Sequence, residues 1–342
     1  MSTDSSPRTF VIAARASQLA QAQANIVLDK LQSIYTDPSD PTRPKFATSF
    51  MSTAGDKNQT QALYLVGGKA LWTKELEVAL KDREVDMLVH SLKDVPTTLP
   101  EGCLLGAILE REDPVDSLVV KSGKPWKSLD DLPAGSVVGT SSVRRIAQLK
   151  RKYPHLKYLD VRGNLNTRLA KLDAEDGPYE ALILAKAGLV RIDLGHRITA
   201  DLKPPTLLYA VSQGALGVEV RSDDEESIRL LEKLIHRETD WRCRAERACL
   251  RVLEGGCSVP VGVSSELDGA VLSLTGSVTS LNGDTHVEHN ITEEIMSVQD
   301  AERIGQDLAK FLIENGAKRI LDDINVDRTR RIEEAKAEDA KQ

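Results

Sequence analysis

The sequence has few of the features that mark membrane, secreted or metal-binding proteins. Only 4% of its 342 residues are aromatic, and it has four cysteines, Cys103, Cys243, Cys249 and Cys257. No two of them have the C-x-x-C spacing of a zinc or redox site, and the set is too irregular for a disulfide framework. No apolar run approaches the roughly 20 residues of a membrane span, and residues 1–9 contain no apolar leader core. We therefore expect reduced thiols, no metal, no membrane association and a cytoplasmic location.

The charge balance argues against a nucleic-acid-binding protein. The formal net charge is −7 at pH 7, whereas a duplex binder needs an extended basic surface. The sign is nevertheless uneven, because the segment from Gly139 to Arg168 contains eight lysines or arginines and one acid, Asp160. This pattern favours a small polyanionic ligand.

The order of apolar patterns predicts α/β domains. Residues 10–13 form a β-rich run before a helical pattern at 17–35, and residues 136–138 do the same before a helical pattern at 141–152. Such alternation is typical of sheets covered by helices. Ser17 has the position and chemistry of an N-cap for the first helix.

The last third of the chain has a different pattern. Asp268-Gly269 and Asn282-Gly283 are strong hairpin-turn signals between alternating apolar runs, which predicts a small antiparallel sheet. A helical pattern over residues 297–315, with Gly316 as a C-cap, would cover one face of that sheet. The segment from 322 to 342 is highly charged, and we expect it to be helical or frayed at the surface.

Two segments place small hydroxyl residues and arginines where a strand becomes a helix. Arg15 and Ser17 lie in the first, and Ser141, Arg144 and Arg145 lie in the second. A helix N-terminus offers unpaired N–H groups, and arginine adds a bidentate fork for a carboxylate. Either segment alone could be a plain N-cap, but together they favour an anion-binding cleft between two domains.

Three further arginines extend this basic set. Arg162 and Arg168 follow an apolar strand pattern that ends near Gly163, and Arg191 follows a second apolar run. Open α/β sheets bind ligands at the carboxyl ends of their strands. These arginines are therefore candidates for the same anion site.

The segment from Met87 to Pro96 contains the candidate catalytic group. An apolar strand pattern ends at His90 and Ser91, and Lys93 and Asp94 follow. Lys93 and Asp94 could instead form an ordinary surface ion pair. We expect His90 to have a structural role. Asp94 is the residue that we expect to act in catalysis.

Cys257 lies in a glycine-flanked turn, Glu254 to Pro260. A thiolate there could act as a covalent nucleophile. The alternative is a buried structural thiol, which is the interpretation we prefer for the other three cysteines.

Taken in order, these motifs resemble the hydroxymethylbilane synthase family, also called the porphobilinogen deaminase family. Shorter agreements are Thr53 with Gly55-Asp56, Lys74 to Glu77, and Gln213 to Ala215. The main motifs are Ala14 to Ser17, His90 to Pro96, Gly139 to Arg145, Arg162 to Asn164 with Thr167 to Leu169, and Gly256-Cys257 before Val259-Pro260.

The resemblance implies a transferase of haem and tetrapyrrole synthesis. Such an enzyme joins four porphobilinogen molecules head to tail with loss of ammonia, and releases hydroxymethylbilane by hydrolysis. Its primer is a dipyrromethane cofactor held by a thioether, here to Cys257. The product would pass to uroporphyrinogen-III synthase. We expect a monomer.

The resemblance also implies roles residue by residue. Asp94 would be catalytic and would contact the cofactor. Arg15, Ser17, Arg162 and Arg191 would bind the substrate or the growing chain. The cofactor's carboxylates would be bound by Ser91, Lys93, Ser141, Arg144, Arg145 and Arg168.

The implied fold has two α/β domains of the type II periplasmic-binding-protein kind, a central cleft, and a small third α+β domain that carries the cofactor cysteine. Domain 1 would span residues 1–110 and be re-entered by 209–231. Domain 2 would span 115–205, and domain 3, with the Cys257 loop and the charged tail, 235–342.

Two features leave alternatives open. The segment from Gly55 to Trp72 is unusually polar for the family and has Trp72 where phenylalanine is common, so its role as a lid is open. A non-enzymatic anion-binding protein of the same two-domain architecture would also explain the arginines, and a Schiff-base enzyme using Lys93 is a further rival.

Overall fold

A computed structural model describes residues 8–35, 40, 43–53, 70–253 and 259–339. The described residues form two compact units. The first contains the described residues up to 53 together with 70–111 and 215–240, and the second contains 112–214 together with the described residues from 241 onward. The chain therefore leaves the first unit after residue 111, returns to it at 215, and leaves it again after 240.

The first unit is built on a mixed five-stranded sheet. Its strands are β1 (Thr9–Arg15), β2 (Lys45–Met51), β3 (Met87–Ser91), β4 (Cys103–Ile108) and β10 (Leu216–Arg221). The sheet order is β2-β1-β3-β10-β4, with β1 parallel to both β2 and β3 and with β10 antiparallel to its neighbours. The helices of this unit are α1 (Gln18–Ile34), α2 (Ala70–Lys81) and α6 (Glu225–Glu232), and α7 (Arg237–Val252) begins in it.

Helix α1 shows why this sequence forms this element. Ser17 accepts a hydrogen bond from the N–H of Ala20 at 3.3 Å, which satisfies one of the free donors of the first turn. The buried positions recur with helical spacing and so form one face against the sheet. They are Ala20, Gln23, Ala24, Val27 and Leu31.

The second unit contains a second mixed five-stranded sheet. Its strands are β5 (Asp116–Val120), β6 (Val137–Gly139), β7 (Lys157–Leu159), β8 (Ala181–Ala185) and β9 (Ala200–Leu202), in the order β7-β6-β8-β5-β9. Strand β6 is parallel to β7 and β8, and β5 is antiparallel to its neighbours. The helices are α3 (Val143–Lys152), α4 (Leu165–Asp173) and α5 (Lys186–Val190).

The antiparallel strand has the same origin in both sheets. In each sheet it is the first strand that the chain forms after it crosses from the other unit, β5 in one case and β10 in the other. It is the fourth strand across each sheet, between β3 and β4 in the first sheet and between β8 and β9 in the second. A residue at the beginning of such a strand therefore lies beside the carboxyl end of a parallel neighbour.

The rest of the second unit is an antiparallel sheet covered by helices. Its elements are β11 (Val261–Asp268), β12 (Val271–Thr279), β13 (His286–Glu294), α8 (Val298–Leu312) and α9 (Lys318–Asp339). Gly269 and Gly283 have φ values of 59° and 86° in the two hairpin turns. Such values are favourable for glycine because it has no Cβ.

The structure confirms the α/β class, the N-cap at Ser17, the small antiparallel sheet with both hairpins, and the helix that covers it. Gly316 has a φ of 109°, and it and Asn315 interrupt the helical backbone between α8 and α9, as predicted for a C-cap glycine; a second helix follows the kink. Helix α3 begins two residues later than predicted, because Ser142 caps it by accepting from the N–H of Arg145. The division into three domains and the cleft remain predictions.

Helices long and apolar enough to cross a membrane are absent from the described part of the chain.

Gly305 is a test of the packing between α8 and α7. A Cβ at Gly305 would lie 2.0 Å from the carbonyl oxygen of Ala245, which is backbone and cannot move aside cheaply. We expect Gly305→Ala to lower the melting temperature, with a loss of about 1–3 kcal/mol. Gly195→Ala is the control, since its Cβ would meet only Val190 Cγ2 at 3.8 Å. Equal melting temperatures for both variants would contradict this packing.

Candidate active site

The first group of predicted residues lies at one edge of the first sheet. Strands β1 and β3 are parallel neighbours, so their carboxyl ends share that edge. Arg15 ends β1 and Ser17 follows it, while Ser91 ends β3 and is followed by Lys93 and Asp94. All five side chains are half-buried. The structure therefore brings them to the edge where open α/β sheets bind ligands.

Ser91 is held by a residue that the sequence analysis did not identify. Gln23 of α1 is 2% exposed, and its Nε2 donates to Ser91 Oγ at 2.7 Å. Its Oε1 lies 3.1 Å from the same hydroxyl, which can donate to it. Gln23 falls on the buried face of α1, so its spacing resembles that of a core residue, and only its polarity marks it as unusual.

Asp94 lies in a short 3-10 turn, Leu92–Asp94, directly after β3. The turn is fixed by backbone hydrogen bonds from the N–H of Leu92 to Ala215 O at 3.0 Å and from the N–H of Val95 to Leu92 O at 3.2 Å. Within the described ranges, the Asp94 carboxylate has no hydrogen-bond or ion-pair partner. A half-buried carboxylate with free lone pairs is available to a ligand.

The second group lies at the equivalent edge of the second sheet. Ser141, Arg144 and Arg145 follow β6, Arg162 and Arg168 follow β7, and Arg191 comes after β8 and α5. Because β6 is parallel to β7 and β8, these segments begin at one edge of that sheet. The strand ends predicted before Ser141 and Arg162 are present, although β7 ends at Leu159 and not near Gly163 as predicted.

Arg144 and Arg145 are in the interior and share one carboxylate. Arg144 Nη1 lies 2.8 Å from Asp116 Oδ2, and Arg145 binds Oδ1 through Nε at 3.1 Å and Nη2 at 2.6 Å. Their exposures are 4% and 6%, and that of Asp116 is 0%. Gln213 Nε2 also donates to Asp116 Oδ1, at 2.8 Å. The carboxylate is fully surrounded by donors.

These contacts set the charge of the cluster. Burial alone would raise the pKa of Asp116, but Arg144 and Arg145 outweigh it and hold that pKa well below its usual range. Burial also lowers the pKa of Arg144. Two guanidinium groups face one carboxylate, so the cluster of Asp116, Arg144 and Arg145 retains one excess positive charge.

The remaining donors of the two arginines differ. Arg145 uses Nε, Nη1 and Nη2, the second of these on Ile183 O at 2.7 Å. Arg144 uses only Nη1, which also donates to Leu208 O at 2.7 Å. Within the described part of the chain, Nε and Nη2 of Arg144 have no protein acceptor. Arg144 therefore keeps donors for an anion, whereas Arg145 is committed to the protein.

The other predicted residues of this edge also contact backbone. Ser141 Oγ donates to Val161 O at 2.7 Å, which ties the end of β6 to the segment after β7. Arg168 Nε donates to Gly163 O at 2.7 Å. Arg191 Nη2 donates to Gly214 O at 2.6 Å, and burial lowers the pKa of Arg191 to about 10, against an opposing effect of Glu112. The hydroxyl proton of Ser141 is therefore already used in a hydrogen bond within the protein.

Asp116 and Gln213 are the main residues that sequence reasoning missed. Asp116 is an acid at the start of an otherwise apolar strand. This pattern predicts that the acid is buried and paired with a basic side chain, but it does not identify that side chain. Cys257 lies outside the described residues, as do positions 54–69 of the polar segment and the side chain of Trp72. The described residues include no group of three or more metal-ligating side chains.

Two sequence models of one family match this chain. The first, described as the dipyrromethane cofactor binding domain of porphobilinogen deaminase, matches residues 10–229. The second, the C-terminal domain of porphobilinogen deaminase, matches residues 241–314. Together they cover most of the chain. The chain belongs to the porphobilinogen deaminase family.

Individual relatives agree over almost their whole length. The porphobilinogen deaminase of Yarrowia lipolytica is 49% identical over 326 residues, covering 94% of both chains. That of a Nostoc species is 51% identical over 320 residues, covering 94% of this chain and 96% of the relative. The Saccharomyces cerevisiae protein is 48% identical and covered to 99%. Membership of this family of transferases favours an enzyme over a non-enzymatic anion-binding protein.

Solved structures show a more distant similarity. The periplasmic VFT2 domain of BvgS from Bordetella pertussis has a TM-score of 0.35 at 15% identity, covering 66% of this chain and 86% of that domain. The sulfonate-binding protein SsuA from Methylobacillus flagellatus has a TM-score of 0.37 at 13% identity, covering 73% and 69%.

Neutralisation of the Asp116 carboxylate should strongly destabilise the second unit. Asp116→Asn leaves two buried guanidinium groups without a counter-ion, and we expect a loss of about 3–5 kcal/mol. The matched control is Asp173→Asn, because Asp173 makes an exposed two-bond pair with Arg197. That pair should contribute only about 0–1 kcal/mol.

The pH dependence follows from the depressed pKa. Because the pKa of Asp116 is lower in the folded state than in the unfolded chain, its contribution is fully present above about pH 4. It is lost as the pH falls towards the folded-state pKa. The difference in melting temperature between the parent and Asp116→Asn should therefore be constant from pH 7 to about pH 4 and should narrow progressively below about pH 4. A pH-independent difference would contradict this assignment.

Proposed function

We propose that this chain is a hydroxymethylbilane synthase. It condenses four porphobilinogen molecules head to tail, with loss of one ammonia at each addition, and releases the linear product by hydrolysis. The observation that carries the proposal is the placement of the family's basic and acidic motif residues at the carboxyl edges of two sheets. The family match over most of the chain supports it.

The ligand's charge explains the number of arginines. Porphobilinogen carries an acetate and a propionate, so the growing chain gains two carboxylates with every unit. Arginine is suited to them because its planar fork binds a carboxylate through two hydrogen bonds. Arg15, Ser17, Arg162 and Arg191 serve the substrate and the growing chain in this proposal.

The described residues fit an anionic cofactor in the second unit. The cluster of Asp116, Arg144 and Arg145 has one positive charge more than its carboxylate neutralises, and Arg144 keeps two donor groups. A ligand carboxylate would supply both the missing charge and the missing acceptor. Arg144 is therefore the stronger candidate for direct contact, and Arg145 holds the common counter-ion.

The dipyrromethane group would supply a nucleophilic pyrrole as primer, attached by a thioether to Cys257. Ser91, Lys93 and Arg168, with the arginine cluster, would bind its carboxylates. Ser141 contributes by a different route, because its hydroxyl already joins two backbone segments and so fixes the loop from which Arg144 projects.

Asp94 is the proposed catalytic residue. Loss of ammonia from porphobilinogen leaves a cation on the pyrrole methylene, and a fixed carboxylate stabilises such a charge without reorganisation. It can also accept and return protons during deamination and bond formation. The absence of a protein partner for its carboxylate, within the described ranges, supports this role.

The remaining parts of the proposal concern the cellular context. We infer that the enzyme is a cytoplasmic monomer and that its product passes to uroporphyrinogen-III synthase. Size-exclusion chromatography with light scattering tests the monomer.

The covalent primer is tested by intact mass. We expect the purified protein to be heavier than its sequence by two pyrrole units, with the adduct mapped to Cys257 and absent from Cys257→Ser. Cys103→Ser is the control and should keep the adduct. Unmodified parent protein, still unmodified after incubation with preformed hydroxymethylbilane, would exclude the primer.

The role of Asp94 is tested by a conservative change. Asp94→Asn keeps the shape of the side chain and removes its charge, so we expect kcat to fall by about 10²–10³-fold or more, with the melting temperature and cofactor content retained. Asp82→Asn, an exposed acid of the same unit, should have normal activity. Near-normal hydroxymethylbilane formation by Asp94→Asn would remove Asp94 from the mechanism.

A further inference from the structure

The first unit contains a buried, hydrogen-bonded pair of ionisable side chains that the proposed function does not use. His90 Nε2 lies 3.1 Å from Glu219 Oε2, and the two residues are 6% and 0% exposed. His90 is the penultimate residue of β3, and Glu219 lies on β10, the antiparallel neighbour of β3. Asp94 is four residues beyond His90.

An apolar cluster lies between α2 and the sheet on this side. It consists of Leu76, Ala79 and Leu80 of α2 with Ala13, Val85 and Leu88. Titratable groups reach the pair from two other elements. Glu77 approaches from α2, where burial raises its pKa and the charge of Glu219 adds to the increase. Cys103 approaches from β4, and burial, with the charge of Glu219, raises its pKa to about 11. Lys81 acts on both Glu77 and Cys103 from the end of α2.

Stability does not account for this pair. Buried ion pairs are often no more stabilising than apolar residues of the same volume, because both groups must be removed from water. Here the cost is increased, since Glu219 Oε1 is buried without a hydrogen-bond partner. A buried polar pair with this desolvation cost is expected where it fixes one arrangement of the two strands that it joins.

The pair fixes the strand end that leads to Asp94. Strand β10 holds this end of β3 by its antiparallel pairing, which sets Leu216 opposite Ser91. The backbone bond from Leu92 N–H to Ala215 O at 3.0 Å and the side-chain bond between Glu219 and His90 add to it. Because the Asp94 carboxylate has no partner within the described ranges, its position depends on the backbone of its own turn. The position of that turn depends on the end of β3.

We propose that Glu219 is a positioning residue for Asp94 and acts through His90. The inference rests on the proposed function, in which Asp94 is catalytic. Loss of the His90–Glu219 bond lets the end of β3 shift, and displacement of a catalytic group by about 1 Å can cost 10²-fold in rate. The effect falls on kcat, because the groups that the proposed function assigns to the substrate and the growing chain follow other strands. They are Arg15, Ser17, Arg162 and Arg191.

The sharpest test compares two amides at position 90. In His90→Gln the side-chain amide nitrogen reaches the place of the imidazole Nε2 and keeps a donor for Glu219. In His90→Asn the same amide is one methylene shorter and does not reach it. We expect kcat within about threefold of the parent for His90→Gln and a fall of about tenfold or more for His90→Asn. KM should stay within about threefold in both.

Glu77→Gln is the matched control. It makes a similar change in a buried carboxyl group that faces the pair without bonding to His90, and its kcat should equal that of the parent. All assays are made well below the melting temperature of each variant. If His90→Asn does not fold, Glu219→Gln and Glu219→Asp replace the pair, with the loss of kcat expected only for the shorter aspartate.

The outcomes separate this inference from the proposed function. A parent protein that forms no hydroxymethylbilane would refute the function itself. An active parent with equal kcat in the long and short variants would refute the positioning role alone, whether both were normal or both equally reduced. A loss confined to KM would also refute it, because it would place the pair in substrate binding.

Discussion

Parallel pairing of β1 with β3, and of β6 with β7 and β8, is the constraint on which the rest of this structure depends. Parallel strands must all end at the same edge of their sheet. Groups that are far apart in sequence, such as those after β1 and those after β3, are therefore collected without a dedicated loop. A chain with a net charge of −7 can in this way concentrate its arginines where an anionic ligand needs them.

Each sheet also contains one antiparallel strand that carries a buried acid. Strand β5 carries Asp116, which lies opposite Ala185 at the end of β8, and β10 carries Glu219. Both acids bond to arginine or histidine side chains close to the edge proposed to bind the ligand. Each of these strands is the first that the chain forms after it crosses between units, so each crossing brings a buried acid close to that edge.

The basic groups therefore differ in how many of their hydrogen-bond donors the protein itself uses. Arg144 and Arg145 are neighbours of the same type in the sequence. Arg145 donates to protein acceptors through three nitrogens, whereas Arg144 donates through one. Ser141 similarly contributes through the backbone that it joins. Burial, rather than residue type, separates these roles, because a buried donor must find an acceptor within the protein.

The sequence by itself determined the α/β class, the two hairpins at Asp268-Gly269 and Asn282-Gly283, the Ser17 cap and the strand ends at which the site residues lie. These follow from local rules, namely periodicity, turn chemistry and capping, which depend on residues close together in the chain. Only the tertiary structure decided that Asp116, Gln23 and Glu219 are the partners of Arg145, Ser91 and His90. Those pairs join residues 29, 68 and 129 positions apart, and such contacts depend on how strands are ordered in a sheet, which no local pattern specifies.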